Sequence, residues 1–555
     1  MAGILFCNKM GYMFTPLRVV IALEVVGVAG MALGFLPREA ALFLLGIFAY
    51  FTLFAPRKDA ILFTVFSIPL YTALPITYGF DTMAGWRMII ALLFLRMFLQ
   101  SSKVLSFGSF SPRQRGAPRL GLFRSAAGGD HAETALKPAK RKYLGALSSR
   151  LDLLVGLFFA VGALSLLVAQ EPTFGIRKLL FLVNIFLLFF VIYAVIKNKQ
   201  DWLDILKYTF GGALLTLAVG YAQLISVFFA PLHHFWMWWV NHVIPVFYGT
   251  GLANLLSYSN TWFSYYEGSE PTLRIFSLFP DSHSFALAMV LLLPMALTYY
   301  FINKKRPDPS KSEWVYEIVI VMALLAIIFS GTRGVWVGAI PVSIVLAAAF
   351  FTKNFPQNLR QFAKVGLVVL FVFILLFPVA AQIQKIAQRS QGGRVSDTTT
   401  FSRISTSFRT GEMSNKGRIQ IWKSTIQSVV RHPLLGVGIG NYPVVLSENI
   451  SATKKGASAH SLYLDFIAEI GILGGIVVLL ILFEILRQAL RVFSQSKDLI
   501  FGAFAGFFAI FLLWVMAYSI VDVVLLNDKV LLLFVTLTTL LYAVPKIKAP
   551  DKSEA

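Results

Sequence analysis

An all-α polytopic bundle of membrane helices is the fold this 555-residue sequence predicts, and three observations predict it. Hydrophobic residues make up 57% and charged residues 14%, against about 45–50% and about 25% in soluble globular domains. Apolar runs near 20 residues recur from end to end, each about long enough to cross a ~30 Å hydrocarbon core as a helix. The 51 Phe and 40 Gly fit lipid contact and close helix approach. A water-soluble enzyme is excluded. The net charge of +22 would suggest nucleic acid in a soluble protein; here positive-inside loops account for it, and no nucleic-acid partner is expected. A single cysteine, Cys7, excludes an intrachain disulfide framework and a CxxC metal site.

Hydropathy places about fourteen transmembrane helices near 17–36, 40–55, 60–76, 85–100, 151–169, 179–196, 208–229, 282–302, 315–330, 334–351, 365–381, 461–486, 499–521 and 529–545. The run Leu17 to Leu36 has no A-x-A exit, and no small-residue cleavage site precedes Cys7, so this run is read as a retained span. A cytoplasmic N-terminus puts Arg57 and Lys58, Lys197, Lys199 and Lys207, Lys304 to Arg306, Lys353, Arg360 and Lys364, Arg487 and Arg491, and Lys546 and Lys548 on the inside. Short loops on the other side carry scattered charges, such as Arg38, Glu39 and Asp81, which supports that orientation. The chain then divides into N-terminal helices (1–100), a basic insertion (101–150), a second helical block (151–381), a long extracytoplasmic loop (382–460), three last helices (461–545) and a cytoplasmic tail (546–555).

Three loops interrupt the helices. Residues 101–150 hold ten Lys/Arg and two Asp/Glu among Pro, Gly and Ser, the profile of a disordered cytoplasmic segment at an anionic leaflet. Residues 230–281 are dense in aromatics (FWMWW, FSYY), as in interfacial helices or an aromatic belt. Residues 382–460 carry eleven Lys/Arg and three acids, net +8. That charge calls for an anionic partner, and lipid phosphates, diphosphates or acidic glycans are the candidates.

Four motifs carry candidate chemistry. SGTRGVW puts Arg333 in a tight turn between two spans, where its planar fork suits phosphate and Gly331 and Gly334 permit close backbone approach. In KGRIQIWKSTIQSVVRHPLLGVGIGNYP, Arg418, Ile421, Trp422, Thr425 and Val429 fall at helical spacing, so Arg418 starts an amphipathic helix whose last turn holds Arg431 and His432. Its glycine run follows no strand and opens no βαβ unit, so it is read as a packing turn and not a nucleotide loop. In SAHSLYLDFIAEIGILGG, His460 ends the loop and is the side chain best suited to take a proton near neutral pH. Asp465 and Glu469 follow on one face of the next helix, Glu469 at membrane depth, as functional carboxylates or as a buried structural pair. LRIFSLFPDSHSF contributes Arg274, a further phosphate ligand, with Asp281 and Ser282 capping a helix beside His283. Outward segments show no H-x-x-x-H and no D-x-D, so no metal ligand set and no cofactor is expected; arginines would serve as the clamp on a phosphate leaving group.

Taken in order, SGTRG, R-x-x-x-W, RHPLLGVGIGNY and AHSLYLDFIAEIGILGG resemble the O-antigen ligase and O-antigen polymerase superfamily over about residues 270–490. The resemblance implies a C-type glycosyltransferase-like membrane fold in the bacterial inner membrane, acting at its outer face on an undecaprenyl-diphosphate-linked glycan donor. It implies that Arg333 and Arg418 bind the donor diphosphate and that His460 is the general base. That base would deprotonate an acceptor hydroxyl, which expels undecaprenyl diphosphate with inversion and without a metal. Acceptors in the superfamily are a lipid A core sugar for ligases, a second lipid-linked glycan for polymerases and a protein hydroxyl for O-oligosaccharyltransferases. The single compact histidine loop favours a ligase. The rival from another class is a lipid-linked glycan transporter, against which stand the lack of a halves repeat and a polar cluster at the interface instead of the midplane.

Overall fold

The structure is a computed structural model that describes residues 15–77, 81, 83–101, 150–257, 262–266, 269–304, 313–353, 356–392, 413–446 and 458–547. Most of the 101–150 insertion, the stretches 393–412 and 447–457 of the long loop, and the C-terminal tail beyond 547 lie outside the described residues.

The N-terminal block comprises α1 (Pro16–Ala32), α2 (Ala40–Phe54), α3 (Arg57–Phe66) and α4 (Trp86–Ser101), with a short antiparallel pair β1 (Ala73–Leu74) and β2 (Met83–Ala84) between the last two. The span expected at 60–76 is therefore helical only to Phe66. Pro69 removes a backbone donor and disfavours helical geometry at Ile68, and the Ser67 hydroxyl donates at 2.5 Å to Glu24 of α1. Next come α5 (Arg150–Ser165), α6 (Pro172–Val195) and α7 (Lys199–Ser226). The aromatic stretch folds as α8 (Leu232–Trp238), a π-turn (Trp239–Val243) and α9 (Ile244–Ser257), followed by the hairpin β3 (Phe263–Tyr266) and β4 (Ser269–Leu273).

The C-terminal half holds α10 (Ser282–Lys304), α11 (Glu313–Phe329), α12 (Arg333–Phe351), α13 (Gln357–Ser390), α14 (Met413–Arg431), α15 (Leu462–Gln495), α16 (Leu499–Tyr518) and α17 (Asp528–Ala543). Among the described residues nine helices are long and apolar enough to cross a membrane, and shorter apolar helices include α2 and most of α11. The chain is an all-α polytopic membrane protein in which the hydropathy segments overlap helices. Polar ends lengthen α13 well past the expected 365–381, because a helix continues beyond the bilayer when its carbonyls and amides pair internally.

Burial sorts the helices. In α10 and α17, 78% of the apolar stretch is buried, and in α16, 72%, whereas in α6, α12 and α13 it is 33%. The first three form the centre, with α10 packed on α11 and α16, and α16 packed also on α12 and α15. The outer helices turn large apolar side chains such as Phe43, Phe98, Ile344 and Phe371 outward, as a lipid-facing surface requires. The helices alternate in direction, so α10, α12 and α15 begin, and α16 ends, at one end of the bundle.

α15 is not continuous. Ile470 and Gly471 leave helical geometry, Gly471 at φ +76°. The segment after α14 fits into that break: the Ile472 amide donates to Pro433 O at 2.9 Å and the Val437 amide to Ala468 O at 2.9 Å. A Cβ on Gly471 would strike the Leu434 carbonyl, and Gly436, Gly438 and Gly440 all have positive φ. The glycine run is thus a packing turn held against helices, with the Asn441 side chain pairing with both backbone groups of Glu171 ahead of α6.

Candidate active site

The end of the bundle where α10, α12 and α15 begin gathers the charged residues. Asp281 caps α10 by accepting from the Ser284 amide at 2.7 Å. His283, in the first turn, lies with Nδ1 2.7 Å from Oδ2 of Asp522, a residue of the loop between α16 and α17. The Tyr518 hydroxyl, at the end of α16, donates to the same oxygen at 2.9 Å. The Leu462 amide at the start of α15 donates to the carbonyls of Ser519 and Asp522, which ties the approach to α15 onto that loop.

His460 stands two residues before α15, half-buried, with φ +48°. Ser461 caps the helix, and the peptide of Ala459 is held on both sides: its N–H donates to Asp465 at 3.0 Å and its carbonyl accepts from the Trp422 indole at 2.9 Å. Trp422 lies one turn beyond Arg418 on α14, so the Arg418 helix runs along the His460 segment. Thr425 and Tyr442, whose hydroxyls are 2.7 Å apart, fix the other side of α14.

Electrostatics link these groups. Burial, opposed by Asp522 and assisted by the nearby charges of Arg418 and His283, holds the His460 imidazole below its ordinary value. Burial alone would raise the Asp522 carboxyl, but the charge and hydrogen bond of His283, with Arg418 and His460, bring it down to about 2. Burial pushes the Asp281 carboxyl up, against the pull of His283 and the Ser284 hydrogen bonds. The surroundings thus favour the ionised carboxylate at Asp522 and the neutral imidazole at His460.

The remaining expected residues divide. Arg333 is the first residue of α12, half-buried, and Gly334 beside it faces Tyr518 and Val521, so the start of α12 abuts the Asp522 loop. Arg274 donates from Nε to Ser264 at 3.1 Å, and its side chain packs over Gly331, two residues before Arg333. Asp465 and Glu469 pair with Lys178 of α6, at 3.6 Å and 2.6 Å. They support the backbone before His460 and the break in α15. His432 is exposed beyond the last residue of α14, about 20 Å along the helix from Arg418 at ~1.5 Å per residue, and does not join the cluster. Among the described residues, no group of three or more His, Cys, Asp or Glu is placed to hold a metal.

Sequence reasoning gave Asp522 and Lys178 no role and His283 none beyond its position beside a cap. Asp522 is a lone charge within an apolar run, which is itself a signal, and Lys178 stands beside Arg177 at the head of one. What the sequence lacks is the pairing, since 239 residues separate His283 from Asp522 and 291 separate Lys178 from Glu469.

Residues 318–479, which contain Arg333, Arg418, His460, Asp465 and Glu469, match the family model described as O-antigen ligase. No curated protein shows significant sequence similarity to the chain. Through residues 318–479 the chain carries the domain of the O-antigen ligase/polymerase superfamily, whose members are membrane glycosyltransferase-like ligases and polymerases.

Proposed function

We propose that this protein transfers a glycan from an undecaprenyl-diphosphate carrier to an acceptor hydroxyl at the outer face of the bacterial inner membrane, inverting the anomeric centre without a metal. One observation carries the reading: His460, half-buried just before α15, lies within the field of Arg418 at the end of the bundle where Arg333 begins α12 and Arg274 packs over Gly331. A base must be unprotonated to accept a proton, and a diphosphate needs cations where it departs.

In this reading Arg333, Arg418 and Arg274 clamp the donor diphosphate, aided by the positive ends of α10 and α12. The acceptor hydroxyl gives its proton to His460 as its oxygen bonds to the anomeric carbon. The bond from that carbon to the diphosphate breaks, and its electron pair stays on the leaving oxygen. A lipid A core sugar is the acceptor we favour, ahead of a second lipid-linked glycan or a protein hydroxyl.

The test is transfer by purified protein in vesicles, with undecaprenyl-diphosphate-linked glycan, excess chelator and each acceptor in turn. Wild type is expected to transfer and His460→Ala to lose roughly 10²- to 10⁴-fold in rate, the range for a positioned base. Movement of labelled donor between leaflets with no transfer to any acceptor would instead make the protein a carrier.

A further inference from the structure

The cluster contains a second imidazole with its partner built in. His283 meets Asp522 at 2.7 Å through Nδ1, and the Tyr518 hydroxyl holds the same carboxylate oxygen. An ionised carboxylate only accepts, so Nδ1 carries a proton toward Asp522 and Nε2 is left for chemistry. A carboxylate placed in this way fixes one tautomer of a histidine and steadies its cation. His460 is built differently: its amide donates to Ser458, and the described residues give its ring no hydrogen-bond partner. The groups facing His283 are Asp281 from the turn before α10, Asp522 and Tyr518 from the end of α16 and the loop after it, and His460 from the approach to α15. Through Asp522, Arg418 of α14 acts on it as well. Asp522 is coupled electrostatically to both imidazoles.

We propose that His283 is a second catalytic histidine of the transfer reaction, donating a proton from Nε2 to the departing diphosphate while His460 takes the proton of the acceptor hydroxyl. This rests on the glycan transfer proposed above. The acceptor O–H breaks as its oxygen bonds to the anomeric carbon, and that proton goes to His460. The bond between the anomeric carbon and the diphosphate oxygen breaks with its electron pair on oxygen, and this oxygen takes the Nε2 proton of the His283 imidazolium. The step ends with His460 cationic and His283 neutral. Passage of one proton from His460 back to His283 restores the starting pair. Protons and electrons balance without a co-reactant.

The experiment measures kcat against pH for the full-length protein in vesicles with saturating lipid-diphosphate-linked glycan and acceptor. Wild type should show an acid limb, where His460 becomes protonated, and the alkaline limb that a proton donor to the leaving group requires. In H283N the amide nitrogen can donate to Asp522 in place of Nδ1, but no group at the Nε2 position can give a proton to the leaving oxygen. H283N is expected to lose roughly 10²-fold in kcat, with the donor KM kept, the acid limb retained and the alkaline limb gone. A wild-type rate in H283N overturns the proposal. So does a slowed H283N that keeps both limbs, because a purely structural role moves the rate and not the limb. If H283N fails to insert, H283Q, whose amide sits nearer the Nε2 position, is read by the same criteria. His460→Ala separates the two claims: activity that survives in it sinks the base assignment, and a wild type that transfers nothing sinks both.

Discussion

The backbone of His460 shows what the surrounding residues are for. A non-glycine residue at φ +48° persists only where neighbours hold it, and Asp465 and Trp422 grip the preceding peptide from opposite sides. The ring is thereby fixed beside Arg418 and the Asp522 loop, where burial favours its neutral form. A depressed value has a direct consequence for rate. The base form is lost as pH falls through the value in the folded protein, so the acid limb of kcat should lie below the ordinary histidine value of 6.5. Initial rates in vesicles across mildly acidic pH test this, and an acid limb above 6.5 would mean that Asp522 outweighs burial. Single motifs in the sequence mark Arg333, Arg418 and His460 as candidates, because each lies in a short run whose residue types suit only a few tasks. The partners of those residues were not legible in the same way. Asp522 pairs with His283, and Lys178 with Glu469, across separations no local pattern spans, and Asp465 serves the Ala459 amide where one-face spacing left its partner open.

At the level of elements, hydropathy located the helices well and their interruptions poorly. A long apolar run continues through Gly471, so nothing in its composition marks the break in α15, which exists because residues 433–437 donate and accept hydrogen bonds there. The end of α3 at Phe66 did have a local signal, Pro69, that a hydropathy average hides. The α15 break is also where Glu469 meets Lys178, so the loop that follows the Arg418 helix, the break and a buried ion pair form one unit. Gly471→Ala should disrupt that unit. The φ of +76° alone costs an alanine about 1–3 kcal/mol, and the added Cβ would meet the Leu434 carbonyl, which cannot swing aside as a side chain would. Gly156→Ala, where a Cβ meets nothing within 4 Å, is the matched control. The unfolding midpoint of the purified protein in detergent is expected to fall for the first and hold for the second. Equal midpoints would show that the loop repacks freely around α15.

The whole molecule joins these features through its polarity across the bilayer. α10, α12 and α15 start at the end that carries the candidate site, and α16 ends there, whereas the opposite end gathers Lys197, Lys199, Lys353, Arg360, Lys497 and Lys546. Basic connections of that kind are retained on the cytoplasmic side. The net +8 of the long loop is compatible with the proposed outward orientation, since long segments cross regardless of charge. The arrangement is directly testable because Cys7 is the chain's single cysteine. After Cys7→Ser, His432→Cys places an exposed thiol beyond α14, at the site end, and Lys497→Cys places one in the turn between α15 and α16, at the other. A membrane-impermeant maleimide added to intact cells should label the first, and should label the second only after the membrane is opened. The reverse pattern would put His460, the arginines and the Asp522–His283 pair in the cytoplasm. Transfer at the outer face would then be untenable whatever the residues do in vitro, because donor and acceptor would meet on the wrong side of the bilayer.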